Sequence, residues 1–407
     1  MDIGCLVPFG DTHDLAGFVP RVATGIEARG FGSLWLGEHT HLPVDTDYPS
    51  DADKKLPERY RRFPDPWAVL AASSSITSRV RLGTLVALVA EHQPLVLAKT
   101  IATVDQLSRG RVEVGVGYGW NKPEMVNNGI DPRRRRTHLR ENVMAMRALW
   151  SGEPRAFDGD VVRFTASWSL PAPVQRPGPK IHLGCSVSER NIADVLAIAD
   201  GFFPHRGLLS DDPRVDIARL RTEAEAAGRD PASIEIGIVY SGTSWGRPDL
   251  ERFTRRLPSV RELQLLEEFG VGRVVCSIPA GPGDLFERSL DAWSERAEAA
   301  GFVLATHTVQ TAEERESADI REIRQALYRA VRAAGSPDEV EMLSNSEVEI
   351  RGDTARVTSV RLLLGGDTRT PRILAQGRVR DEFVRAADGR WAFRRRAVAD
   401  HDPAAER

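Results

Sequence analysis

Eight short runs rich in valine, isoleucine and leucine recur along this chain at intervals too long for hairpins. They are Ile3 to Pro8, Ser33 to Gly37, Val80 to Leu88, Arg111 to Gly117, Lys180 to Cys185, Gly201 to Pro204, Ile234 to Tyr240 and Arg273 to Ile278. Helical patterning over 19–29, 67–76, 94–107, 136–150, 189–199, 214–227, 259–269 and 282–300 fills most of the intervals. Parallel strands need crossovers of this length, and helices on both faces make the strands apolar throughout. Eight such units predict an α/β fold, a (β/α)8 barrel, over residues 1–302.

At 407 residues the chain is longer than one barrel needs, which predicts a second, smaller domain. Residues 303–317, with the charged stretch Thr311 to Ser317, read as a linker. Residues 318–407 read as an α+β domain: a helix over 318–333, then β-like stretches over 340–350, 355–364 and 378–386, with a candidate fourth over 391–398. Inside the barrel region, the turn pair of Phe157-Asp158-Gly159-Asp160-Val161 predicts an inserted β-hairpin.

Basic and acidic residues nearly cancel, 55 against 58, and are dispersed, which argues against nucleic acid or an anionic membrane as partner. The one basic run, Arg133 to Arg136, leads into a helix pattern and reads as a solvated helix start. Cys5, Cys185 and Cys276 are widely spaced and form no C-x-x-C pair, as expected of a reducing cytoplasm and no structural zinc. No apolar run approaches the ~18 residues of a membrane span.

In a barrel of this kind the working residues lie at the C-terminal ends of strands. The second strand ends in Glu38-His39, which admits a proton-transfer pair or a structural hydrogen-bonding pair. Gly115, Gly117 and Gly119 alternate through the end of the fourth strand, so that backbone can approach a flat ring. A dinucleotide fingerprint is excluded there, because position 122 is Lys122 and no helix is expected to open directly afterwards. Gly184-Cys185-Ser186 run from the fifth strand into a helix N-terminus, which serves an anion or a simple cap by Ser186 or Ser188.

Taken in order, these segments resemble the luciferase-like monooxygenase superfamily, in particular its coenzyme F420-dependent branch. The resemblance rests on Ser33-Leu34-Trp35-Leu36-Gly37-Glu38-His39, Asp65-Pro66, Ser78-Arg79-Val80-Arg81-Leu82-Gly83-Thr84 and Pro94-Leu95-Val96-Leu97-Ala98-Lys99. It continues through Ala102 to Arg111, Gly115-Val116-Gly117-Tyr118-Gly119-Trp120, Pro173-Val174-Gln175 and Ala199-Asp200-Gly201. It implies a tricyclic cofactor across the barrel mouth, above a third-strand bulge with a non-prolyl cis peptide, placed here at Leu85-Val86. It further implies His39, beside Glu38, as the catalytic polar group, with Gly117, Tyr118 and Gly119 bordering the ring and Gly184, Cys185 and Ser186 holding the cofactor phosphate. Related sugar-phosphate dehydrogenases carry an acidic residue where this chain has Trp120, so an apolar or aromatic substrate stacked on Trp120 is expected instead.

The last hundred residues resemble the SnoaL-like, nuclear transport factor 2-like superfamily through Asp319-Ile320-Arg321-Glu322-Ile323 with Tyr328, Leu343-Ser344-Asn345, Gly352-Asp353-Thr354-Ala355 and Asp388-Gly389-Arg390-Trp391. Elements between the first helix and the sheet are missing, and Glu341 stands where that family often has histidine, so a packing, dimerising or substrate-covering role is expected. The expectation for the whole chain is hydride transfer between coenzyme F420 and a small organic substrate, in a homodimer. Its rivals are an FMN-dependent monooxygenase served by a separate reductase, and a non-catalytic binding module.

Overall fold

The computed structural model describes residues 1–46, 56–240, 249–280, 283–304, 339–351, 354–365, 372–385 and 391–401. Two compact units divide the chain, Met1–Val309 and Gln310–Arg407.

In the first unit the strands are β1 (Asp2–Leu6), β2 (Ser33–Leu36), β3 (Arg81–Ala87), β4 (Val112–Val116), a hairpin of β5 (Arg155–Asp158) and β6 (Arg163–Ser167), then β7 (Lys180–Leu183), β8 (Gly201–Phe202), β9 (Glu235–Tyr240) and β10 (Arg273–Ser277). Apart from the hairpin they close into a parallel barrel of order β1-β10-β9-β8-β7-β4-β3-β2. Around it run α1 (Leu15–Ala28), α2 (Pro66–Ile76), α3 (Pro94–Leu107), α4 (Lys122–Asn127), α5 (Arg135–Leu149), α6 (Glu189–Ile198), α7 (Pro213–Ala226), α8 (Leu250–Arg256), α9 (Val260–Glu268) and α10 (Leu285–Ala299). Several start where the sequence supplies a capping oxygen: Asp65 accepts from Ala68 N, Gln93 from Val96 N and Ser188 from Asn191 N, with Pro66 and Pro94 in the first turn.

Strand alternation sorts side chains between the helical jacket and the lumen. The lowest lumen layer is ionic. Arg273 Nη1 donates to Glu113 Oε2 at 2.5 Å, His182 Nε2 lies 2.7 Å from the same oxygen, and Arg81 and Asp2 complete the cluster. Burial alone would raise the Glu113 carboxyl, but the His182 hydrogen bond and the Arg273 charge hold it well below the usual carboxylate range. Glu113, His182 and Glu235 come close enough to suggest a metal site, yet Arg273 already supplies the positive charge there, 3.6 Å from Glu235.

Above this layer Trp35, Leu85, Phe203, Val239 and Val275 form a buried cluster. Glycines on adjoining strands make room for its two large rings. A Cβ at Gly83 would lie 2.3 Å from the Trp35 ring, and one at Gly237 would lie 2.5 Å from Phe203. Leu6 and Val86, both partly buried, cap the cluster and floor the mouth.

The second unit contributes a four-stranded antiparallel sheet, β11 (Glu339–Arg351), β12 (Thr354–Gly365), β13 (Arg372–Arg385) and β14 (Trp391–His401), in that order. The candidate fourth strand is therefore present. Val357, Asp381 and Phe383 are buried in it. The helix expected over 318–333 and the linker stretch Thr311 to Ser317 lie outside the described residues.

Two expectations need correction. A helix does open directly after Trp120, because Asn121 caps α4 through Glu124 N and Pro123 stands in its first turn. The dinucleotide fingerprint is still excluded, since these glycines belong to a closed barrel. Arg136 does not behave as a solvated helix start: its side chain is only 18% exposed, drawn inward by Asp194. Among the described residues no helix is long and apolar enough to cross a membrane.

Candidate active site at the barrel mouth

Glu38 and His39 follow β2 in sequence, but their side chains serve different partners. Glu38 is buried and accepts from Leu88 N at 2.6 Å and from His92 Nε2 at 2.9 Å, fixing the turn that leaves β3. Burial by itself lowers the His92 imidazole, but the hydrogen bond and charge of Glu38 outweigh it and leave His92 raised. The carboxylate that receives His39 is Glu124 on α4, whose Oε2 lies 2.7 Å from His39 Nδ1. Glu124 is fully buried and also accepts from Thr40 N at 2.8 Å.

An ionised carboxylate only accepts, so Nδ1 of His39 carries the proton and Nε2 is left as the basic nitrogen. Around the imidazole stand Tyr60, Phe63 and Trp120, with ring centroids 5.4, 5.2 and 5.4 Å away. Trp120 therefore packs edge-on against His39, on the same wall as Tyr60 and Phe63.

A third buried carboxyl, Glu91, lies behind Gly119. Asn128 donates to its Oε2 at 2.9 Å, and the same amide donates to Glu124 O at 3.1 Å. Burial, followed by the negative charge of Glu124, pushes Glu91 up to about 7.

The Leu85-Val86 peptide is cis, at the pair where the bulge was expected, and β3–β4 pairing is irregular between Thr84 and Ala87. Val86 occupies the space that side chains at Gly117 and Gly184 would need, with added Cβ atoms 2.6 and 2.9 Å from its methyls. These two glycines thus seat the bulge. Gly119 has φ +72°, a conformation that favours glycine.

On the far side, Ser186, Cys185 and Gly184 lead into α6. Asn191 Nδ2 donates to Ser186 O at 2.9 Å and Ser188 caps Asn191 N. Cys185 is buried and burial pushes its thiol up to about 12, so it contributes packing and backbone rather than a thiolate. Tyr118 OH donates to Asp194 at 2.7 Å, while Arg136 donates to Asp194 at 2.5 Å and stacks 4.2 Å above the Tyr118 ring. Tyr118 is raised by burial and by the Asp194 hydrogen bond.

Sequence reasoning missed Glu124, Tyr60 and Phe63; it read Glu91 as part of a polar loop after the third strand and Arg136 as solvated. Only Glu124 left a local signal, as the third residue after the cap Asn121.

An apolar floor of Leu6 and Val86, an imidazole wall and a serine-lined helix N-terminus suit a flat heteroaromatic ring carrying a phosphate. Two family models and several known proteins match the chain. The family described as luciferase-like monooxygenase matches residues 3–345, and a SnoaL-like domain matches residues 294–397. An uncharacterized protein of Mycobacterium tuberculosis is 46% identical over 219 residues, 53% of this chain and 76% of its own. An FMNH2-dependent dimethylsulfone monooxygenase of Pseudomonas putida is 32% identical over 150 residues, 36% of this chain and 39% of its own. A solved F420-dependent secondary alcohol dehydrogenase, in complex with an F420-acetone adduct, shares the fold with a TM-score of 0.55 at 18% identity, over 74% of this chain and 98% of its own.

Proposed function

Because the chain belongs to the luciferase-like monooxygenase family, whose members are flavin- or F420-dependent oxidoreductases, we propose that it moves a hydride between coenzyme F420 and a small apolar or aromatic substrate. The observation that carries this reading is the His39–Glu124 pair, a fixed imidazole backed by a fully buried carboxylate at the mouth.

When bound, the deazaflavin ring supplies the hydride chemistry. Val86 and Leu6 would floor it, Gly117, Tyr118 and Gly119 would border it, and Ser186 with the N-terminus of α6 would hold its phosphate. His39 Nε2 takes the proton from a substrate hydroxyl during oxidation, or returns it to a carbonyl oxygen during reduction. Glu124 keeps the ring oriented and stabilises the imidazolium that forms. Trp120, Tyr60 and Phe63 exclude water and offer stacking area to an apolar substrate.

A second reading, an FMN-dependent monooxygenase supplied with reduced flavin by a separate reductase, is favoured by the likeness to the dimethylsulfone enzyme. Titration of the purified protein with oxidised F420 and with FMN, followed by tryptophan quenching, separates the two. Micromolar F420 binding with much weaker FMN binding is expected. The reverse preference would promote the monooxygenase, and binding of neither would sink both. We also propose a homodimer, which light scattering after size exclusion would refute by showing a monomer.

A further inference from the structure

His205 follows β8 and lies outside the machinery described so far. Its direction is set by the strand pattern: it pairs with Val239, a member of the lumen cluster, and it stands two residues beyond Phe203, another member. The imidazole is therefore on the lumen side, one layer above Phe203, half-buried at the mouth. In the barrel order β8 is four strands from β2 in either direction, so His205 and His39 stand diametrically across the opening.

The two imidazoles have opposite electrostatic settings. His39 has a buried carboxylate on one nitrogen, whereas among the described residues Arg206 and Glu262 are engaged elsewhere. Arg206 donates to Ser210 O and Asp211 O and lies 3.5 Å from Glu262, and Glu262 accepts from Tyr240 OH at 2.6 Å. Burial lowers the His205 imidazole. A histidine in that setting stays neutral and offers one N–H donor and one acceptor nitrogen.

We propose that His205 is a second ligand-binding residue of the mouth, an imidazole that hydrogen-bonds the polar edge of a flavin-type ring while His39 handles the proton on the opposite side. This assignment rests on the proposed function, and it is independent of which ring is preferred, because both carry polar atoms along one edge. It makes the two walls unequal: one reads the cofactor, the other works on the substrate.

The test is binding of oxidised F420 and of FMN to the full chain and to His205→Phe and His205→Asn, with melting temperature as a control for folding. For whichever ring the wild type binds, His205→Phe should weaken affinity ~10-fold or more, the scale of one hydrogen bond at a desolvated site. His205→Asn, which keeps a donor and an acceptor, should stay within ~3-fold of the wild type. Unchanged affinity in His205→Phe overturns the proposal, as does equal loss in both variants, which would point to ring shape alone. Failure of the wild type to bind either ring would instead overturn the proposed function on which this rests.

Discussion

An imidazole passes protons predictably when one of its nitrogens is fixed, and Glu124 does this for His39. His39→Ala should cut turnover ~100-fold or more and leave ring affinity nearly unchanged, a split that steady-state kinetics and the binding titration read separately. Unaltered turnover would remove His39 from the mechanism. Glu91 makes a pH prediction. Its folded value of about 7 lies above the ~4.3 of an unfolded glutamate, so the folded state holds a proton that the unfolded chain has already lost. The stability linked to this group is complete below the unfolded value and is lost as pH rises through 7. Melting temperatures at about pH 5.5 and 8 should fall more in the wild type than in Glu91→Gln, and an equal fall would assign the titration to another group.

At the scale of elements, the ends of strands matter more than their middles. Apolar patterning extends β1, β2, β3, β4, β7, β8 and β10 one or two residues past where their ladders stop. Those extra residues, among them Gly37, Gly117, Gly184, Cys185 and Pro204, lie just beyond the strands, where single hydrogen bonds such as Gly117 N to Ala87 O, Gly184 N to Val116 O and Val239 N to Pro204 O still tie them to their neighbours. Gly117 and Gly184 among them are packing requirements of a neighbouring bulge. Gly117→Ala places a methyl 2.6 Å from Val86 Cγ2, and overpacking of this kind costs roughly 1 to 3 kcal/mol. Urea unfolding should show that loss, and Val86→Ala in the same background should return part of it. If the double variant is no more stable than Gly117→Ala, the two positions are not coupled as described.

For the whole molecule, stability and chemistry occupy opposite ends of one barrel. The buried charge cluster at the lower end holds Arg273 between Glu113 and Asp2. Glu113→Gln leaves that guanidinium without its main counter-charge and should cost ~3 to 5 kcal/mol. The Glu113 carboxyl is depressed, so its contribution is fully present above the ordinary carboxylate value and is lost only as pH falls toward its folded value. Denaturant melts at neutral pH should therefore show the full difference from the variant, and melts in strong acid a smaller one. All site residues named here lie in Met1–Val309, which predicts that this unit, if it folds when produced separately, retains ring binding.

Short β-branched runs such as Arg273 to Ile278, alternating with helical patterns of crossover length, made the barrel legible in the sequence. The C-terminal sheet was legible for the same reason, through the alternation of β11 to β14. Asp105 and Gln175, which carry part of the family resemblance, bond to each other at 2.8 Å in the packing of the barrel and perform no chemistry at the mouth. What sequence could not assign was the pairing of polar groups. Glu38 and His39 are adjacent in the chain yet bond to His92 and Glu124, because side chains at successive positions of an extended segment leave in opposite directions. Barrel closure alone sets His205 across from His39 and puts Glu124, 85 residues away, against an imidazole, since those distances exist only once eight strands share one axis.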